Sequence, residues 1–431
     1  MKRSTKLCLT GRIVPVVWLF LVVMVAAQPQ EAISLEQYLR ESAVSKQVID
    51  TFLDSNQFSW AQFDPELGYI LGNYLPRDGI DGSSTISTVQ ETGARTSHLY
   101  DDRPARINTY GNSFTQCHQV SDGETWQEYL AAHLGEPIRN FGMGGYGVYQ
   151  AYRRMLREER TEQAAEYILL YVWGDDHLRS LLRCRHALIY RWWNHDGGRL
   201  FHNPFWAHVE IDPETGQIVE RDNRLPTPEA LYQMTDPDWM YDNLKDDLAL
   251  QMYLYSRGLT NELNWPEVEK LSILLRQGPP ERIPAERARK SVMQILHKYG
   301  FAATKYVLAK AKDFAEANEK KLLVVLFDPS RVMRVLIESG ERYDQEVVDF
   351  LKDNDFHYFD MNLIHVEDYK AFSLSVDKYM DRYFIGHYSP AGNHFFAFSI
   401  KDTIVEWLDP KPITYRPEYE GIGDLGSYVL P

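Results

Sequence analysis

The fold of this 431-residue chain is most constrained by an alternation of short apolar runs and amphipathic segments that begins near residue 105. The apolar runs are rich in β-branched and aromatic residues and are predicted as strands: RINTY, PIRNFG, EYILLYVWG, KLLVVLF and FHYFDM. The segments between them have helical spacing, as in TWQEYLAAHL, where Trp126, Tyr129, Leu130 and Leu134 share one face. Strands that alternate with helices form a mainly parallel sheet covered on both faces, so the chain is predicted to be an α/β protein.

An interruption of this alternation predicts the domain organisation. Residues 177–300 are dense first in aromatic and turn residues and then in acidic helical stretches, which indicates an inserted cap or lid over the carboxyl edge of the sheet. The α/β core then comprises residues 105–176 and 301–410. Residues 28–104 are predicted as an N-terminal appendage of helix and hairpins, and residues 411–431 as a C-terminal tail.

The N-terminus has the pattern of a secretory signal peptide. Four basic residues lie in the first twelve, and the apolar run IVPVVWLFLVVMVAA follows. Val25 and Ala27 are small enough for the −3 and −1 positions of a cleavage site, which predicts a signal peptide over residues 1–27. The alternative is an uncleaved N-terminal anchor, although 15 apolar residues are short for a bilayer span of about 20. Both interpretations predict export, so the protein is expected to be secreted or periplasmic.

The acidic charge of the chain limits its partners. The formal net charge is −15, and it becomes −19 once the four basic residues of the signal peptide are lost. Such a surface suits neither nucleic acid nor an anionic membrane, and no second apolar run is long enough to span one. We therefore expect a soluble exported protein.

Two cysteines remain after signal cleavage. Cys8 leaves with the signal peptide, and Cys117 and Cys184 stay in an oxidising compartment. They form either one disulfide or two free buried thiols, and the sequence leaves both alternatives open.

Polar and glycine residues follow several of the predicted strands. They are Ser113, the glycines from Gly142 to Gly147, the run Gly174–Asp176 and, far downstream, His387. A parallel sheet brings the carboxyl ends of its strands to one edge, and a serine hydrolase needs a nucleophile, a base and oxyanion donors at one place. Ser113 is therefore a candidate nucleophile, with a helix N-cap as its alternative role.

Four sequence blocks in the core resemble those of the SGNH (GDSL-like) hydrolases. YGNSFT is similar to the first block, usually Gly-Asp-Ser-Phe-Thr, and NFGMGGYG to the second, with Gly145 at its glycine. LLYVWGDD is similar to the third block, and GHYSPAGNHFFA to the last. The resemblance implies a flavodoxin-like three-layer sandwich, Ser113 as nucleophile and His387 as base. It also implies that the backbone N–H groups of Ser113 and Gly145 bind the oxyanion, and that no cofactor is needed.

The blocks depart from the family pattern at three positions. Asn112 replaces the usual aspartate, and we expect this nearly isosteric change to be tolerated. Asp175 stands where the family has its oxyanion asparagine, and an ionised carboxylate has no N–H to donate. We expect either a protonated or displaced Asp175, or one held as a structural anion by Arg179 or Arg183.

The third departure concerns the acid of the triad. Phe384 occupies the family's acid position, three residues before the histidine. Asp381 and Asp377 lie slightly upstream and are candidates to replace it. A Ser-His dyad oriented by a backbone carbonyl is equally compatible with the sequence.

Several candidate residues have structural alternatives. His387 is either the catalytic base or a structural histidine, and His394 is the competing base. Gly145 is either an oxyanion donor or an ordinary turn glycine. Clustered aromatics in the insertion either stack on sugar rings or, as is more common, form the core of the cap: Trp192, Trp193, Phe201, Phe205 and Trp206. The nearby His186, His195 and His202 lack the tight spacing of metal ligands, so no metal site is predicted.

The leading functional hypothesis is an exported serine esterase. Its expected substrate is an acylated carbohydrate or another small ester, with acetyl as the preferred acyl group. A polysaccharide O-acetyltransferase of SGNH type and a non-catalytic carbohydrate-binding protein are the alternatives.

Overall fold

The structure is a computed structural model, which describes residues 32–56, 59–182, 205–212 and 214–416. Some predictions fall outside these ranges. They concern the signal peptide, most of the C-terminal tail, and the following residues: Arg183, Cys184, His186, Trp192, Trp193, His195, Phe201 and His202.

A five-stranded parallel sheet forms the centre of the molecule. Its strands in chain order are β1 (Ile107–Tyr110), β2 (Ile138–Asn140), β3 (Tyr167–Val172), β4 (Lys321–Leu326) and β5 (Tyr358–Asp360). Their spatial order is β2-β1-β3-β4-β5, and all four pairings are parallel. The predictions of an α/β class and a mainly parallel sheet are confirmed. In this strand order, ligands collect at the carboxyl ends between β1 and β3.

Helices cover both faces of the sheet. Alternate residues of β3 enter two separate apolar cores, with Ile168 and Leu170 in one and Tyr167 and Leu169 in the other. The first core is closed by the helices Val148–Glu158, Ala285–Ala317 and Gln345–Asp353. The second is closed by Trp126–Leu134, Met361–Tyr369, Val376–Tyr383 and Pro390–Trp407. This arrangement is compatible with the expected three-layer sandwich.

The remaining elements lie in the N-terminal segment, in the insertion and at the strand ends. Two antiparallel hairpins pair Ala61–Asp64 with Gly68–Leu71 and His208–Ile211 with Ile218–Arg221. The other α-helices are Leu35–Arg40, Lys46–Leu53, Ser113–Gln116, Asp176–Arg179, Pro237–Leu244, Leu248–Ser256, Trp265–Leu274 and Arg334–Ser339. Short 3-10 helices span Ile80–Gly82, Asp122–Glu124, Ala230–Thr235 and Ile413–Tyr415, and a π-helix spans Pro329–Met333.

One long helix crosses the predicted boundary between insertion and core. The sequence predicts a helix that begins at Ala302, whereas the helix begins at Ala285 and continues to Ala317. Gly300 obscures this continuity because glycine disfavours helix interiors by about 1 kcal/mol. Its missing side chain instead allows close packing, since an added Cβ would lie 3.1 Å from the carbonyl carbon of His177.

Two members of the predicted aromatic cluster are described, and both belong to the first apolar core of the molecule. Phe205 and Trp206 are fully buried, and Trp206 packs against Tyr69 of the N-terminal segment with ring centroids 5.6 Å apart. For these two residues the structure shows packing rather than a sugar-stacking surface. None of the helices in the described ranges has the length and apolar composition needed to cross a membrane.

Candidate active site

Ser113 opens a short helix directly after the end of β1. Asn112 is the N-cap of this helix, because its Oδ1 accepts a hydrogen bond from Phe114 N at 2.8 Å. The Asn112 Nδ2 donates to Asp176 Oδ2 at 2.7 Å, which ties the serine turn to the end of β3. Capping is therefore the role of Asn112, and the Ser113 hydroxyl is left for another contact.

That contact is with His387. The Ser113 Oγ lies 2.7 Å from the Nε2 of His387, although the two residues are 274 positions apart in the chain. The imidazole packs against the ring of Phe114 with centroids 4.9 Å apart. His387 lies in a tight turn in which Ile385 N donates to the His387 carbonyl. The structure thus brings together the two residues that the sequence placed at one sheet edge.

Gln119 orients the imidazole from its other side. Its Oε1 accepts from the His387 backbone N at 2.7 Å and lies 3.1 Å from His387 Nδ1. Its Nε2 donates to the backbone carbonyl of Asp78 at 3.0 Å. A backbone N–H only donates and a carbonyl only accepts, so these two partners fix which end of the amide faces the ring. Nδ1 therefore carries the proton, and Nε2 is free to accept from Ser113.

The loop that presents Gln119 is held by a buried arginine. Cys117 and Gln119 both have left-handed backbones, with φ of 61° and 74°. Arg95 donates to the carbonyls of Gln116, Cys117 and Val120 at 2.5 to 2.7 Å, and it pairs with buried Asp122 at 2.8 Å. Non-glycine residues in left-handed conformations cost of order 1 kcal/mol or more, and these contacts hold the loop in that conformation.

A second histidine lies beside the first. His118 Nε2 lies 3.0 Å from Asp78 Oδ2, and its ring is 5.1 Å from the ring of His387 in an edge-to-face contact. Burial alone raises the pKa of Asp78, but the hydrogen bond and charge of His118 outweigh it and lower that pKa. The N-terminal segment therefore contributes Asp78 to the site as well as Arg95.

The environment of His387 favours its neutral form. Burial lowers the pKa of His387 well below 6.5, and the positive charges of His118 and Arg179 lower it further, against the opposing charge of Asp78. A neutral imidazole with a free Nε2 lone pair can accept a proton from a serine hydroxyl.

The structure does not place the predicted acids against His387. Asp381 is exposed and pairs with Lys378 at 3.0 Å, and Asp377 is exposed and pairs with Arg334 at 2.6 Å. Both carboxylates lie on the helix Val376–Tyr383, which ends before the turn that carries the histidine. The prediction of Asp381 as triad acid is therefore not met, because Nδ1 is already occupied by Gln119.

The neighbouring positions are structural. Phe384 stacks on Tyr388 with centroids 4.8 Å apart and extends the apolar core under the site. His394 is exposed and makes an edge contact with Tyr129, with ring centroids 5.2 Å apart. Cys117 is a free, buried thiol, and burial raises its pKa to about 12.

Asp175 is held as an ion-paired carboxylate. Its Oδ1 lies 2.6 Å from Arg331, and its Oδ2 lies 3.8 Å from Arg179. The sequence predicts Arg179 as a partner of Asp175. It does not predict Arg331, which lies 156 residues away in the chain. An ionised carboxylate cannot donate to an oxyanion, so Asp175 does not supply the side-chain donor that the resemblance to SGNH hydrolases implies at this position.

The glycine segment packs directly on the serine helix. A Cβ at Gly142 would overlap the backbone of Gln116, and one at Gly144 would overlap the ring of Trp60. Gly144 N donates to Gln116 Oε1 at 2.7 Å, and Gly145 has a left-handed φ of 91° that favours glycine. Gly145 thus lies in a loop built for close backbone approach, beside the helix that begins at Ser113.

The described residues contain no group of three or more histidine, cysteine, aspartate or glutamate side chains placed to hold a metal ion.

Comparisons with known proteins find distant likenesses among solved structures. No protein-family model matches the chain, and no curated protein gives a significant match. A solved structure of a protein assigned to the G-D-S-L lipolytic family, from Desulfitobacterium hafniense DCB-2, is similar at 9% identity and a TM-score of 0.32. It covers 69% of this chain and 97% of its own. A second solved structure is similar at 8% identity and a TM-score of 0.28, over 71% of this chain and 99% of its own. Likenesses this distant establish neither the family nor the activity.

Sequence reasoning missed Gln119, Asp78 and Arg95. Glutamine is not a usual third residue of a triad, and the other two lie in a segment predicted as an appendage. One signal was present, since Gln119 follows the candidate nucleophile by only six residues, in a polar stretch too short for another element.

Proposed function

We propose that the protein is an exported serine esterase that hydrolyses O-acyl esters. The observation that carries the proposal is the 2.7 Å contact between Ser113 Oγ and His387 Nε2, with Nδ1 of the same ring oriented by Gln119. A hydroxyl, a neutral base within hydrogen-bond reach and an orienting group are the parts that nucleophilic catalysis needs.

The first half-reaction forms an acyl-enzyme. Ser113 Oγ attacks the ester carbonyl carbon, its proton moves to His387 Nε2, and the carbonyl π electrons move to oxygen. When the tetrahedral intermediate collapses, the carbon–oxygen bond to the alcohol breaks. His387 then returns its proton to the departing alkoxide. Gln119 keeps the ring in the correct tautomer throughout, as the amide oxygen still accepts from the imidazolium.

The second half-reaction repeats these steps with water. His387 Nε2 removes a proton from the water molecule, the hydroxide adds to the acyl carbon, and Ser113 leaves with the proton. Backbone N–H groups of Ser113 and Gly145 are proposed to bind the oxyanion in both halves, supported by the left-handed glycine loop beside the serine helix.

The acyl-carbohydrate substrate and export are the finer parts of the proposal. Export is supported by the basic and apolar pattern of residues 1–27, and the acyl preference by the sequence blocks that resemble SGNH hydrolases. The acidic surface is consistent with a neutral substrate rather than a polyanion.

An activity screen tests the proposal. Wild-type protein and Ser113→Ala are assayed on nitrophenyl acetate and on acetylated polysaccharides, with released acetate and any acetylated acceptor measured. The proposal predicts hydrolysis by the wild type and a loss of at least about 10³-fold in Ser113→Ala. Activity that survives the substitution would remove Ser113 from the mechanism, and acceptor-dependent products without hydrolysis would show a transferase.

A further inference from the structure

Two buried N–H donors on residues near the serine turn have no acceptor in the part of the chain that the structure describes. They are the Nε of Arg179 and the Nε1 of Trp173, neither of which has a hydrogen-bond partner among the described residues. Arg179 is only 8% exposed, and its guanidinium lies over the Trp173 ring, 4.7 Å from the centroid. A buried donor without an acceptor destabilises the folded protein, and a group that accepts from it during function would account for its retention.

The Arg179 guanidinium is fixed by its outer nitrogens. One lies 3.3 Å from Asp176 Oδ1, and the other lies 3.8 Å from Asp175 Oδ2. These two ion pairs hold the outer nitrogens near the carboxylates, and neither of them involves the Nε–H, which is unpaired among the described residues.

Three contacts place Arg179 near the turn that carries Ser113. Its partner Asp176 accepts from Asn112, the residue before Ser113. Trp173, whose ring contacts the guanidinium, packs on Phe114, the residue after Ser113, with centroids 5.9 Å apart. On the glycine loop, a Cβ added to Gly147 would lie 2.8 Å from Arg179 Cβ, two residues beyond Gly145. The charge of Arg179 also reaches His387, whose pKa it helps to lower.

Resting on the esterase function proposed above, we infer that Arg179 Nε–H is the side-chain donor to the oxyanion. It provides the side-chain N–H that an asparagine at position 175 would provide and that Asp175 lacks. A charged donor forms a hydrogen bond to an oxyanion that is about twice as strong as a neutral one. The ground-state ester carbonyl gains less from it, so the contact favours the transition state.

The test compares Arg179→Met with Arg331→Met. Both variants remove a cation from Asp175, but only the first removes the donor. With nitrophenyl acetate, Arg179→Met is expected to lose about 10²-fold or more in kcat while KM changes little. Its affinity for phenylboronic acid, which forms a tetrahedral adduct with the serine, should fall by a comparable factor. The acid limb of its pH–rate profile should also move to higher pH, because a charge that lowers the pKa of His387 is gone.

Arg331→Met is expected to change kcat by less than about fivefold. Arg179→Lys is the second variant, since it keeps the charge and the fold but not the Nε position, and it should lose at least about tenfold in kcat. Melting temperatures verify that each variant is folded. The inference is overturned if a folded Arg179 variant keeps kcat within about threefold of wild type, or if Arg331→Met loses as much as Arg179→Met. A wild type that neither hydrolyses the ester nor binds the boronic acid would instead contradict the esterase function itself.

Discussion

Gln119 binds His387 twice, through the backbone N–H and through ring Nδ1, and its amide is itself oriented by the carbonyl of Asp78. A neutral side chain therefore orients the imidazole, where the resemblance to SGNH hydrolases implies a carboxylate. It fixes the tautomer of the base without adding a negative charge. Because Gln119 adds no charge, burial is the largest influence on the pKa of His387 and keeps that pKa low.

Gln119→Glu should shift the pH dependence of catalysis. A carboxylate beside Nδ1–H stabilises the imidazolium and raises the pKa of His387, so the neutral base is lost at a higher pH than in wild type. The acid limb of kcat/KM for an aryl acetate is expected to move upward. Gln119→Met is the matched control, because its side chain has no acceptor for the Nδ1–H. It should lower kcat/KM by about tenfold to 10²-fold without moving the acid limb to higher pH. Superimposable profiles for wild type and Gln119→Glu would be incompatible with a contact at Nδ1.

Asn112→Asp should be harmful here, although aspartate is the usual residue at this position of the SGNH block that the sequence resembles. The substitution replaces the N–H donated to Asp176 with a second carboxylate at hydrogen-bond distance. Unfolding free energy should fall by about 1–3 kcal/mol at pH 7 and by less near pH 4, where one carboxyl takes up a proton. Adding Asp176→Asn should recover only part of the loss, because the new amide donates to the carboxylate but no longer accepts from Trp173 N. Urea denaturation measures both, and an unchanged midpoint for the single variant would contradict this contact.

Arg95→Met should destabilise the fold and impair the site together. The substitution leaves Asp122 buried without its cation and removes the donor from the loop carbonyls. Removing one partner of a buried ion pair costs about 3–5 kcal/mol. Lys378→Ala, which breaks the exposed pair with Asp381, is the control and should cost less than about 1 kcal/mol. Equal losses in denaturation free energy would show that Arg95 makes no special contribution.

The sequence predicted the parts of the site that depend on strand order. Ser113 follows β1, the glycine loop follows β2 and Asp175 follows β3, so a parallel sheet gathers them at one edge regardless of sequence separation. His387 was matched through its motif, and it lies in contact with Ser113.

The partners of that pair depend on loop conformation, which sequence patterns do not encode. Gln119 reaches His387 only because two left-handed residues reverse the chain after the serine helix. Arg95 and Asp78 come from a segment whose turn-rich composition says nothing about where it docks. The sequence predicts the helix Ala285–Ala317 only from Ala302 onward, because Gly300 has a low helix propensity. Tight packing on His177 is the reason for that glycine.

Stability should fall as the pH is lowered through the titration range of unfolded histidine. Burial lowers the pKa of His177 to about 3, of His297 to about 4 and of His365 to about 3. Unfolded histidines titrate near 6.5, so below that pH the unfolded state binds more protons than the folded state. The unfolding free energy is then expected to fall by about 1.4 kcal/mol per pH unit for each histidine, until the folded pKa values are reached.

Denaturation midpoints at pH 7.5, 6.5 and 5.5 measure this slope. His365→Gln should remove one histidine's share of it while keeping polar contact with Tyr379 and Tyr388. A flat profile across this window would show that these histidines are not held neutral in the folded protein.

Covalent labelling of Ser113 tests the central claim most directly. A nitrophenyl phosphonate ester is attacked by an activated serine, which then carries a stable phosphonyl group, and mass spectrometry locates that group. We predict one phosphonyl group per chain on the peptide that contains Ser113, much slower labelling in His387→Asn, and none at that peptide in Ser113→Ala. An unmodified Ser113 in protein that still hydrolyses esters, or labelling that is unaffected by His387→Asn, would contradict the Ser113–His387 mechanism.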